Sequence, residues 1–394
     1  MLQNDRWLLP EGIEEVLPPQ AEHLEVLRRR LLDLFHVWGY ELVIPPFIEY
    51  LESLLTGTGN DLDLQTFKIT DQITGRLMGV RADMTPQVAR IDAHQLKRDV
   101  PSRLCYLGTV LHTQPQGHGA TRCPLQVGAE LYGHSGIESD IEVLRLMIET
   151  LRCVGLGKVH LDLGHVGIYR GLMRQFDVDE SEEATLFDAL QRKARPEIAE
   201  WLARTDLPQT SREMIGALAD LYGDIGVLTD ARRLLAGASD EVLVALDNLE
   251  AIAKAAAKFP DVELHFDLAE LRGYHYHTGV VFAVFVPGHG QAIAQGGRYD
   301  DIGRVFGRAR PATGFSTDLK CLLSLVPAQT GVLRGIFAPG DSDPALDQLI
   351  AALRSQGERV IRSLPGQQGD AVAMGCDRKL IRRDGGWQVV STGR

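Results

Sequence analysis

Two β-prone runs, residues 103–112 (RLCYLGTVLH) and 125–132 (LQVGAELY), bracket the turn-rich stretch QPQGHGATRCP. No other pattern constrains the chain as strongly. Such runs, separated by glycine and proline, read as neighbouring antiparallel strands with a long connecting loop. Residues 67–70 and 77–80 flank a turn around 71–76 and predict a hairpin. Residues 40–44 predict a strand stopped by Pro45 and Pro46. Residues 158–163, 263–268 and 280–286 predict further strands, and a glycine-rich turn is expected over 295–300.

Helical spacing appears in two places around these strands. Over 21–38, Leu24, Leu27, Leu31, Leu34, Phe35 and Trp38 recur at intervals of three and four, and Gly39 follows as a stop. Residues 138–154 repeat the pattern and end at Gly155. From about 168 to 260 the chain is charged and rich in alanine and leucine, and no strand signal interrupts it. This segment reads as a helical insertion. Residues 318–326 predict another helix. Regular strand–helix–strand alternation is missing before residue 327, so the body is expected to be α+β, with a mainly antiparallel sheet flanked by helices. Pro327 marks a linker. Residues 328–394 are expected to form a small C-terminal α/β domain behind a body spanning 1–327.

Composition narrows the function. The chain has 394 residues, and a net charge of −12 disfavours bulk binding to a phosphate backbone. The acidity resides in the first 330 residues. No run approaches the ~18 apolar residues of a spanning helix. The first twenty residues carry acids and prolines rather than a basic start and an apolar run. A cytoplasmic protein without membrane or nucleic-acid partners is the expectation. Cys105, Cys123, Cys153, Cys321 and Cys376 include no CxxC pair, so neither a disulfide framework nor a zinc knuckle is predicted. The chain has no GxxxxGK[ST] loop, HExxH or GxSxG. His275 and His277 would share one face of an extended segment, but two histidines without a carboxylate make an incomplete metal site. No metal and no cofactor are expected.

Several segments, in order, resemble histidyl-tRNA synthetase of the class II family. The helix over 21–38 with the strand ending at Pro45 resembles that family's dimerisation motif. Val80-Arg81-Ala82-Asp83-Met84-Thr85 is similar to its "LRPEGT" segment, and residues 103–133 resemble the second motif in length and spacing. Leu271-Arg272-Gly273-Tyr274-His275-Tyr276-His277-Thr278-Gly279 is similar to "VRGLDYYTG", and residues 296–300 match "GGRYD". Residues 314–322 lie where the third motif belongs. The resemblance implies a class II synthetase-like fold and a histidine pocket built from Asp83, Thr85, Gln126, Glu130, Arg272, Tyr276 and Tyr299.

The same resemblance shows what is lost. His112 stands where the family has a phosphate-holding arginine, and Gln114 replaces a glutamate that assists ATP. Ala120 replaces a second arginine, and Lys320-Cys321 replaces the Glu-Arg pair of the third motif. Cysteine offers no planar, always-charged fork. Asp83 is shorter than the family's glutamate, and His275 and His277 stand at the family's aspartate and second tyrosine. The tail is too short for the family's usual anticodon domain.

Such a body also resembles a paralogous family, the regulatory subunits of ATP phosphoribosyltransferase. That resemblance implies a chain without catalysis, required with a short-form catalytic subunit for the first step of histidine biosynthesis. It further implies a homodimer within a hetero-oligomer and histidine as an effector ligand. A degenerate histidyl-tRNA synthetase, another amino-acid-activating paralogue and a stand-alone amino-acid-binding protein stay open at this point.

Overall fold

The computed structural model describes residues 7–56, 60–115, 117, 120–271, 273–274, 276–327 and 335–392. The chain divides into two units, Met1–Val326 and Pro327–Arg394.

In the first unit, helix α1 (Gln20–Val37) precedes strands β1 (Glu41–Leu42), β2 (Ile48–Tyr50), β3 (Phe67–Thr70) and β4 (Leu77–Val80). Strands β5 (Ser102–Thr109), β6 (Leu125–Tyr132) and β7 (Val159–His165) follow, with the helix Ile137–Val154 between β6 and β7. Helices dominate from Val166 to Ala256, interrupted by β8 (Tyr222–Gly223). Strands β9 (Val262–Asp267), β10 (Val280–Phe285), β11 (Ala294–Arg298) and β12 (Ala312–Asp318) complete the unit. They form a nine-stranded sheet in the order β1-β5-β6-β12-β11-β10-β7-β9-β8 and a small sheet, β2-β4-β3. Within the large sheet only β1·β5 and β7·β9 run parallel. The fold is α+β with a mainly antiparallel sheet.

The core follows from the spacing on α1. Leu27, Leu31 and Phe35 are buried, and Phe35 meets Phe315 of β12 edge-on at 6.2 Å. Leu24, Leu34 and Trp38 pack at the margin of that core. Gly39 takes φ +83°, the left-handed conformation that ends a helix at low cost.

Three expectations are corrected. The strand is short: Glu41 and Leu42 pair with β5 and the Val43 N–H donates to the Cys105 carbonyl oxygen, after which the chain leaves the sheet toward Pro45, and Ile44 is exposed. The helical insertion is crossed by β8, which adds an edge to the sheet against β9. Residues 295–298 are not a turn. They belong to β11, deep in the sheet, paired with β10 and β12. Their glycines serve close approach. A Cβ at Gly296 would collide with the carbonyl oxygen of Gly314 and lie 2.8 Å from Cα of Phe315. Gly296→Ala should therefore cost about 1–3 kcal/mol, the usual penalty for overpacking. A thermal melt that leaves the midpoint unmoved would refute this.

In the second unit, β13 (Ile336–Ala338), the helix Pro344–Ser355, β14 (Val360–Arg362), β15 (Arg378–Arg383) and β16 (Gly386–Ser391) form a sheet ordered β14-β13-β15-β16. Ile336, Leu346, Ile350, Val360 and Leu380 are its buried core. Asp343 caps the helix by accepting from the backbone N–H of Ala345, and its other oxygen accepts from the Trp387 indole at 2.8 Å.

Candidate functional site

Asp83 and Thr85 lie where the chain leaves β4 and enters the helix Thr85–Arg90. Gln126 and Glu130 are four apart on β6 and therefore share a face of the sheet. Tyr276 comes from the turn before β10, and Tyr299 directly follows β11. Asp83, Thr85, Glu130, Tyr276 and Tyr299 line one cavity of ≈230 Å³. Gln126 stands behind it and fixes Asp83, donating to Oδ1 at 2.7 Å while its own Oε1 accepts from the Met84 N–H at 2.9 Å. The Thr85 N–H also donates to Asp83 Oδ1, at 3.0 Å.

Glu130 is the centre of a hydroxyl cage. Its Oε1 accepts from Tyr106 at 2.9 Å and Thr85 at 3.3 Å, and its Oε2 accepts from Tyr299. The Thr85 and Tyr106 oxygens are 3.0 Å apart. Tyr276 stacks on Tyr299 with centroids 5.0 Å apart. Burial pushes the Glu130 carboxyl up to about 8, against the pull of the three hydroxyls. Burial likewise raises the phenols of Tyr106, Tyr276 and Tyr299.

Six of the seven pocket residues expected from sequence come together here. Arg272, like His275, lies outside the described residues. Sequence reasoning missed Tyr106, Asp162, Glu270 and Gly314, which line or support the pocket. The signal for Tyr106 was its register partner, Gly128, whose missing side chain leaves room for the phenol. His277 faces the same cavity, and burial lowers its imidazole to about 4. Its segment is turned rather than extended, so alternation does not apply. Among the described residues no three metal-ligating side chains converge.

A neighbouring cavity of ≈710 Å³ shares Asp83 and holds His112, Ala120 and Cys321. Gln114 is not part of it and lies exposed. His112 is nearly buried, its Nε2 2.9 Å from the Ala82 carbonyl oxygen. The Cys321 thiol sits 3.7 Å from His289, and burial pushes it up to about 11. Glu14, Asp83 and Asp318 give the lining three carboxylates. Lys320 is its one lysine or arginine among the described residues, and it pairs with Glu14 at 3.5 Å. Arg122 is committed elsewhere. It donates to the carbonyl oxygens of His112 and Glu11, both at 3.0 Å, and lies over Phe67.

A synthetase-like body with an amino-acid-sized pocket and an acid-lined second cavity agrees with relationships found by comparison. Residues 12–322 match the histidyl-tRNA synthetase family model. Residues 333–390 match the ATP phosphoribosyltransferase subunit HisZ C-terminal domain. An ATP phosphoribosyltransferase regulatory subunit from Thioalkalivibrio sulfidiphilus is 66% identical over 97% of both chains. The chain belongs to the family of ATP phosphoribosyltransferase regulatory subunits. A regulatory subunit from Alkalilimnicola ehrlichii is 58% identical over 98% of this chain and 97% of its own. The crystal structure of an ATP phosphoribosyltransferase regulatory subunit/histidyl-tRNA synthetase from Bacillus halodurans superposes with a TM-score of 0.83 at 27% identity, covering 95% of this chain and 97% of that one. This regulatory subunit belongs to histidine biosynthesis and has no catalysis of its own. No described helix is long and apolar enough to cross a membrane.

Proposed function

We propose that this chain senses histidine in the Asp83–Glu130 pocket and transmits occupancy to a short-form ATP phosphoribosyltransferase catalytic subunit. One contrast carries the reading: an intact hydroxyl and carboxylate cage stands beside a cavity with no unpaired lysine or arginine among the described residues. The pocket offers Asp83 and Glu130 to an ammonium or imidazole N–H, and Tyr276 and Tyr299 form an aromatic wall. The neighbouring cavity offers a triphosphate three carboxylates and one lysine already paired.

The α1–β1 element supports a homodimer within the larger complex. Val37, Leu42, Ile44, Phe47 and Ile48 are exposed there as a run of apolar side chains of the kind that marks an interface. The described cysteines are all free, in keeping with a reducing, cytoplasmic compartment.

A ligand that binds one assembled conformation better shifts the partner's equilibrium by that difference. Couplings of ~1–3 kcal/mol, roughly 5–150-fold in affinity, suffice for feedback. Mixing the two purified chains should give stable co-elution and a rise in phosphoribosyl-ATP formation that histidine reverses. Failure to co-elute, or activity no greater than that of the catalytic chain alone, overturns the partnership. Activation that histidine leaves untouched overturns the sensing.

A further inference from the structure

Glu130 forms no ion pair among the described residues, although it is only 1% exposed. The groups around it come from several elements. Tyr106 faces it from β5, and Thr85 and Asp83 from the segment entering the helix Thr85–Arg90. Tyr132 lies two residues along β6. Tyr276 and Tyr299 close the cavity, and β12 presents only backbone at Gly314, where a Cβ would fall inside the Glu130 carboxyl group. Asp83, Asp162 and Glu270 bring further carboxyl groups to the same cavity, and His277 faces it as well. An ionised Glu130 would add an anion to a cavity that Asp83, Asp162 and Glu270 already line, without an ion pair of its own among the described residues, an expensive arrangement.

We propose that this cavity takes a protonated amine in exchange for the Glu130 proton. The inference rests on the histidine-sensing reading and adds a proton to it. The Glu130 O–H bond breaks, the proton leaves to solvent, and the carboxylate stays behind as partner to the incoming ammonium. The incoming ammonium offsets the charge that the departing proton uncovers, and histidine's own carboxylate accompanies it. The hydroxyl cage tolerates both states, because the hydroxyls of Thr85, Tyr106 and Tyr299 can each turn to donate to a carboxylate or accept from a carboxylic acid. Burial holding this acid up to about 8 supports the same picture.

The sign is fixed by linkage. The ligand stabilises the ionised form, so the acid's pKa falls on binding. Below pH ~8 binding releases a proton, and affinity rises by up to about tenfold per pH unit. Above that pH the Glu130 contribution vanishes, and affinity falls as the ligand's own ammonium loses its proton. Calorimetry with histidine at pH 7, in buffers of different ionisation heat, should count close to one proton released. Glu130→Gln should bring the count near zero. Independently of any variant, infrared difference spectra should show a carboxylic-acid band lost when histidine is added. Histidine binding without proton release, or with release that persists in Glu130→Gln, overturns the proton exchange and leaves the sensing reading intact. No histidine binding at any pH overturns both.

Discussion

Histidine-dependent pyrophosphate–ATP exchange by this chain should fall at least ~10⁴-fold below that of an adenylating synthetase. Loss of one preorganised donor at a developing charge costs ~10²–10³ in rate. Here two such positions are altered, at His112 and Cys321, and the structure shows no free replacement among the described residues. Lys320 pairs with Glu14, and Arg122 is tied to the carbonyl oxygens of Glu11 and His112. The loss extends beyond missing contacts, because Glu14, Asp83 and Asp318 would repel each phosphate. A purified sample whose exchange rate comes within about tenfold of a genuine synthetase would refute this account.

Arg298→Ala should be the most destabilising of the single substitutions considered. The guanidinium is 7% exposed and reaches Asp140 at 2.8 Å, the Ser139 hydroxyl at 2.8 Å, and the carbonyl oxygens of Gly136 and His134 at 3.1 and 3.2 Å. It also donates to Asp300 at 3.2 Å, whose same oxygen accepts from the Ala312 N–H at 2.9 Å. One side chain thus ties the end of β11 to the start of the helix Ile137–Val154. Removing one partner of a buried ion pair costs about 3–5 kcal/mol, since the other charge is left without compensation. At about 1.5 °C per kcal/mol for a unit of this size, the melting temperature should drop by roughly 5 °C. A smaller drop for the double variant with Asp140→Asn would show that the stranded carboxylate is responsible. An unchanged melt of Arg298→Ala would remove the clamp from the picture.

Much of this architecture was legible from spacing alone. The α1 periodicity and the helix Ile137–Val154 emerged because each buries one regular stripe, while the hairpin at 67–80 and the β5–β6 pair were marked by β-prone runs around turn-forming residues. Residues 295–298 did not. Two consecutive glycines read locally as a turn, whereas their role is set by backbone that arrives from β12, far along the chain. Tyr222–Gly223 is too short to leave any periodic signal. In the pocket, Asp83, Thr85, Gln126 and Glu130 were legible only through resemblance, since no spacing rule joins the segment after β4 to the face of β6. Gln114 shows the limit of that route: the resemblance puts it at the ATP site, yet it is exposed and does not line the cavity. Tyr106, Asp162 and Glu270 required the three-dimensional register.

The acid-lined second cavity has a consequence for metabolic signalling. A phosphoribosyltransferase that consumes ATP would be poorly served by a companion that also captured it. Such a companion would act as a sink at low nucleotide supply, and its report on histidine would drift with the energy state of the cell. With Glu14, Asp83 and Asp318 lining that cavity, under the proposed function the two chains are expected not to compete for one substrate. If the chain senses histidine as proposed, the carboxylates would insulate one message, end-product abundance, from another, cellular energy charge.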